Sequence, residues 1–196
     1  MEKINFIKTF IPQGQYRQKY EYGDMVVYHI NAEYNKEMNA YECYECTLKK
    51  ATFDETKVRS AFAQFSAKLD ALKLEEAKEE KIAEITAYDT SDKVNGFILN
   101  GLLVWLDKAT RVGLMNSTTI AKAAGQKTTT LWLGGLKLVV DCDKAIQLLS
   151  ALEMYALECF NVTASHKQAV SDLTSLEDVE VYDYKSGYPK MLEMSV

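Results

Sequence analysis

Proline occurs only twice in this chain. So few fixed φ angles and missing amide donors let helices run long, and they speak against a disordered linker. Cysteine is also sparse: Cys43, Cys46, Cys142 and Cys159 are too few and too scattered for a secreted disulfide scaffold. The expectation is free thiols in a reducing compartment. No apolar run reaches the roughly 18 residues of a membrane-spanning helix. The opening MEKINFIKTFIPQGQ lacks the apolar core of a signal peptide, being interrupted by Asn5, Lys8 and Thr9. Excess positive charge is missing too. A net charge of −5 leaves no electrostatic footprint for DNA or RNA. The expected partners therefore include neither nucleic acid nor membrane.

The residues that are present sort into an α+β chain of three parts. Residues 1–53 read as a small β-rich N-terminal domain. MVVYHI (25–30) and AYECYECTL (40–48) have strand composition, and the polar NAEYNKEMN between them reads as a hairpin loop. Residues 54–87 read as one long linking helix. Asp54 is its N-cap, and no glycine or proline interrupts the residues after it. Within it Val58, Phe62, Phe65, Leu69 and Leu72 are spaced 4, 3, 4, 3, a short heptad seam. The seam fails at Glu76 and Glu79, where LEEAKEEK reads as solvated. Such a stripe either packs within its own chain or pairs with a second copy.

Residues 88–196 read as a C-terminal domain of two hairpin-helix (ββα) units. FILNGLLVWLDK (97–108) is echoed by LWLGGLKLVVDCDK (131–144). In each, an apolar run meets Asn100-Gly101 or Gly134-Gly135, dipeptides suited to a type I′ turn. A second apolar run comes next, then Asp107 or Asp141, able to cap a helix. The first helix is expected from about Lys108 to Ala124, ended by Gly125. The second runs from about Cys142 to Thr174, with an apolar face at Ala145, Leu148, Leu149, Leu152, Tyr155, Ala156 and Cys159. Neither hairpin buries itself well alone, so the two units are expected to share one core. The tail is expected to hold one helical turn and then an irregular, tyrosine-bearing end.

No constellation of residues declares a chemistry, and no catalytic residue, metal ligand or cofactor is assigned. Cys43 and Cys46 form a lone CxxC, but residues three apart in a strand face opposite ways and no second pair exists. GQKTTT (125–130) has Gln between the glycine and the lysine and stands in the wrong order of elements for a phosphate loop. His166 follows Ser165 directly, which cannot present a nucleophile and its base by spacing alone, and a solvated helix face is the plainer reading. Glu153 and Glu158 are five apart and share no helix face. Trp105, Leu106 and Asp107 read as strand end and helix cap. The tyrosines Tyr182, Tyr184 and Tyr188 have the composition of a binding surface or, equally, of a core edge. They and the seam residues Val58, Phe62, Phe65, Leu69 and Leu72 form the candidate partner interface.

Five stretches carry a family resemblance: IAEITAYDTSDKVNGF (82–97), VWLDKATRVGLMN (104–116), AAGQKTTTLWL (123–133), ALEMYALECFNVTASHKQAV (151–170) and VYDYKSGYP (181–189). From about residue 81 to 189 the chain resembles a domain family of unknown function, widespread in tailed bacteriophages and prophages. The resemblance implies a tail, baseplate or fibre-associated protein and carries no catalytic residues. It implies other phage structural proteins as partners, with a homo-oligomer as a further option. The location it implies is the tail region of the virion, after assembly in the host cytoplasm. A non-enzymatic structural protein is the first reading. A fibre-assembly chaperone that leaves the particle is the second, and an enzyme acting on cell wall or glycans is the third.

Overall fold

The structure, a computed structural model, describes residues 3–195. The architecture is α+β, and the chain divides into two compact units, Met1–Lys73 and Leu74–Val196. No helix among the described residues is long and apolar enough to cross a membrane.

The first unit is a four-stranded antiparallel sheet. Strands β1 (Ile7–Pro12), β2 (Lys19–Tyr22), β3 (Met25–Asn35) and β4 (Ala40–Lys49) lie in the order β1-β4-β3-β2. The expected loop at 31–39 is mostly strand. β3 runs on to Asn35 through a register shift between Ile30 and Glu33, where Asn31 adopts a φ of +53°. A bulge absorbs the extra residue there, and side chains pointing to water can be polar without ending a strand. The true turn is short. Asn35 Oδ1 accepts the amides of Glu37 and Met38, and Asn39 takes a φ of +48°.

Both faces of this sheet are covered. On one face Tyr28, Ile30 and Cys46 pack with Val58 and Phe62, flanked by Phe6, Tyr44, Leu48, Phe53 and Phe65. On the other, His29 is buried between Glu45 Oε2 at 3.0 Å and the carbonyl of Arg17. The rings of Tyr16 and Tyr20 lie near it, and Tyr16 stacks on Tyr41 with centroids 4.3 Å apart. Tyr16 and Tyr41 are half-buried in this second, aromatic cluster, whereas Tyr20 stays exposed.

Helix α1 (Glu55–Asp89) starts where expected. Asp54 Oδ1 accepts the amides of Thr56 and Lys57. The boundary between the units falls inside this helix. Residues beyond Lys73 are less solvated than LEEAKEEK suggests. Lys78 donates to the carbonyl of Ser171 and Lys81 to that of Glu180, both with largely buried side chains. Each ammonium sits at the carboxyl end of a helix, where the free carbonyls and the helix dipole favour a cation, and each apolar stem is covered.

The second unit contains α2 (Asp92–Asn95), the hairpin β5 (Phe97–Leu99) and β6 (Leu102–Val104), and α3 (Lys108–Ala123). The hairpin β7 (Thr128–Leu133) and β8 (Leu136–Asp141) comes next, then α4 (Cys142–Asp172), α5 (Leu176–Glu180) and β9 (Leu192–Met194). Two hairpin-helix units are therefore present. Asp107 caps α3 through the amide of Thr110, and Asp141 caps α4 through those of Asp143 and Lys144. Gly125, at a φ of +80°, ends α3. Its amide bonds to Lys122 O, and that of Gln126 reaches back to Ala121 O, a Schellman closure.

One core serves both hairpins. It holds Phe97, Leu99, Val104 and Leu106 from the first, Leu131, Leu133 and Val140 from the second, and Ala145, Leu148, Leu149, Leu152, Tyr155 and Cys159 from α4. Residues 175–189 hold the helical turn α5 and then an irregular, tyrosine-bearing stretch, as expected. A strand not read in the sequence follows: β9 pairs in parallel with β5 and makes a three-stranded sheet. Short strands of three residues carry too little periodicity to be read from sequence.

Candidate functional site

A concavity of the second unit opens where the β6–α3 connection meets α4. It measures about 410 Å³. Trp105, Leu106, Ala156, Leu157 and Phe160 form its apolar walls, and Asp89, Asn95, Asp107, Lys108, Arg111 and Glu153 supply its polar groups. The local folding explains the placement. Asp107 fixes the first turn of α3, so Trp105 is held just outside the helix and stands 39% exposed. Met154, Leu157 and Phe160 recur every three residues along α4 and are 59%, 49% and 60% exposed. They lie away from the face that builds the core. The result is an exposed apolar surface beside an aromatic-walled groove.

Arg111 anchors the floor. It is 8% exposed. Its Nε donates to Glu153 Oε1 at 2.9 Å and its Nη1 to the carbonyl of Leu106 at 2.7 Å. Glu153 thus neutralises a guanidinium that would otherwise be costly to bury. Asp107 is engaged as well. The Thr110 hydroxyl and amide both donate to it and hold its carboxyl below the usual carboxylate range. Asp89 accepts from the Thr163 hydroxyl at 2.7 Å.

A model of a domain of unknown function, DUF4376, matches residues 76–186, more than half of the chain. The chain belongs to the DUF4376 family. No curated protein and no solved structure matches it. The groove lies wholly inside the DUF4376 match, whereas the four-stranded sheet of the first unit lies outside it.

The residues singled out from sequence fall elsewhere. Val58 and Phe62 are buried in the core of the first unit, and Phe65 packs on it, so these seam positions close over their own sheet instead of facing a partner. Leu69 is half-buried and only Leu72, 68% exposed, stands in solvent. Tyr182, Tyr184 and Tyr188 are half-buried and pin the tail of the DUF4376 unit. Tyr188 hydrogen-bonds to Thr163, and Tyr184 and Tyr188 meet Tyr88 edge to face. Tyr182 reaches His166 Nδ1 at 2.9 Å while His166 Nε2 donates to the carbonyl of Ser186. His166 is thus a clasp for the tail and not part of a solvated face.

Cys43 and Cys46 are both buried thiols, and burial pushes Cys46 up to about 11. Such a thiol holds little thiolate at neutral pH. Among the described residues no group of three or more His, Cys, Asp or Glu is placed to hold a metal. Sequence reasoning missed the groove because its parts read as ordinary structure. Trp105 reads as a strand end, and Glu153 shares no helix face with Glu158, the nearest carboxylate after it on its helix. Its true partner, Arg111, is on α3. The one available signal was the 3-residue recurrence of Met154, Leu157 and Phe160, apolar residues outside the predicted apolar face of that helix.

Proposed function

We propose that this protein is a non-enzymatic structural component of a bacteriophage tail, baseplate or fibre apparatus, acting through contacts with other proteins of the particle. One observation carries the binding part: the groove walled by Trp105, Leu157 and Phe160 leaves large apolar side chains in water. Aromatic residues around a concavity are the usual anchors of protein interfaces. The phage setting rests on the family resemblance of the stretches between 82 and 189. Mass spectrometry of purified virions from a phage encoding this chain is the test, and the protein is expected there in stoichiometric amount. Its absence from mature particles, together with a stable complex with a fibre protein in infected cells, would replace this reading with that of an assembly chaperone.

A further inference from the structure

We propose that the groove on the C-terminal unit takes an extended peptide segment of a partner protein, apolar and free of acidic side chains, with a backbone carbonyl hydrogen-bonded to Arg111. The proposal rests on the reading of the chain as a protein-binding component and names what its binding site accepts.

The guanidinium supplies the polar half of the argument. Nε and Nη1 of Arg111 are engaged, but Nη2 makes no hydrogen bond among the described residues. Arg111 is more than nine-tenths buried and lines the groove. A guanidinium carries five N–H donors in a fixed fork, and leaving one unmet in a dry site is costly. An occupant that expels water from this groove must therefore bring an acceptor to Nη2.

Charge decides which acceptor. The groove carries the carboxylates of Asp89, Asp107 and Glu153 against the cations of Lys108 and Arg111. Glu153 already neutralises Arg111, so a carboxylate arriving there would meet a site with one more negative than positive group. A peptide carbonyl offers a lone pair without that repulsion. The walls decide the rest. Trp105, Leu106, Leu157 and Phe160 offer apolar and aromatic surface, and about 410 Å³ is room for one or two bulky side chains. A peptide brings apolar side chains and carbonyls at fixed spacing, which matches walls and floor together.

The test uses the full chain carrying Trp132→Phe, so that Trp105 is the only indole. A random peptide library is panned on it, and recovered peptides are synthesised and titrated by Trp105 fluorescence. The expected consensus has adjacent bulky apolar residues and lacks Asp and Glu. Leu157→Glu, at an exposed position, should weaken binding by more than about tenfold, and Arg111→Lys should weaken it by about tenfold. Circular dichroism checks that each variant is folded.

An acidic consensus would overturn the proposal, as would peptides that bind the Leu157→Glu chain equally well, or no enrichment over that chain. So would sedimentation of the parent chain as a dimer that Leu157→Glu dissociates, because the groove would then hold a second copy. Virions assembled normally with Leu157→Glu protein would sink this inference while leaving the tail assignment standing.

Discussion

Hairpin β5–β6 turns through Asn100 and Gly101 at φ of +50° and +81°; hairpin β7–β8 turns through Gly134 and Gly135 at +57° and +86°. Both lead to an aspartate cap and a helix. Beyond the caps the two copies diverge. Four residues after Asp141, α4 buries Ala145, then Leu148, Leu149 and Leu152. At the matching places α3 has Arg111, Leu114, Met115 and Thr118. The first helix thus turns polar groups inward at Arg111 and Thr118, where the second turns Ala145 and Leu152, and keeps Leu114 and Met115 against the core. The strands differ too: β5 and β6 have three residues each and gain β9 as a third strand, whereas β7 and β8 have six and pair only with each other. The two copies share the instructions for turning and capping and divide the remaining labour. The second builds the core, and the first, with buried Arg111, shapes the groove floor.

If the hairpins are equal partners in one core, equivalent core positions should cost the same to empty. Leu99 and Leu133 occupy matching sites and are both fully buried. Leu99→Ala and Leu133→Ala should each destabilise the C-terminal unit by about 2–5 kcal/mol, the range for a truncated core leucine. Urea unfolding measures this. A loss confined to one of them would show that its hairpin carries the core and the other is an appendage.

A smaller effect separates the turns. Asn tolerates the left-handed conformation at position 100, so the same conformation at Gly134 would not by itself forbid Asn. The surroundings do. A Cβ on Gly134 would stand 3.1 Å from Cγ1 of Val104, whereas one on Gly101 or Gly135 meets nothing within 4 Å. Gly134→Asn should therefore cost about 1–3 kcal/mol, typical of overpacking a filled site, and Asn100→Gly less, because glycine keeps the left-handed turn without a clash. Equal costs for the two exchanges would mean that Val104 yields and that the turns are interchangeable.

The two copies also mark how far sequence carries. Turns, caps and the apolar face of α4 were legible, because each is written by neighbours: Asn-Gly or Gly-Gly for a left-handed turn, an aspartate before a helix, leucines at helical spacing. The groove was not legible, because it is made by residues remote in the chain. Arg111 and Glu153 are separated by 42 positions, and nothing local announces their pairing. The seam at Val58, Phe62 and Phe65 was legible as an apolar stripe but silent on its partner, which proved to be the chain's own sheet. Strand β9 escaped notice because three residues with one parallel neighbour leave no pattern of their own. Local physics is encoded locally, whereas a site assembled from two copies of a motif appears only when the copies pack.

The smallest expected effect tests whether the polar inward face of α3 is a cost borne by the first copy. Thr118 is fully buried, and its hydroxyl has no hydrogen-bond partner among the described residues. In a helix a threonine hydroxyl can return to the carbonyl four residues back, as Thr119 does to Met115. Thr118 does not, so its oxygen forgoes the hydrogen bonds it had in water. Its counterpart in the second copy, Leu152, loses nothing of that kind. Thr118→Val exchanges the hydroxyl for a methyl of nearly equal size and leaves no other group orphaned. The unit should gain about 1 kcal/mol, the low end of the penalty for a buried unmet polar group, read as a rise in melting temperature. A fall instead would mean that water or a neighbour serves the hydroxyl. The inward polarity of α3 would then be a satisfied network reaching beyond Arg111, and the first copy would lose nothing by departing from the second.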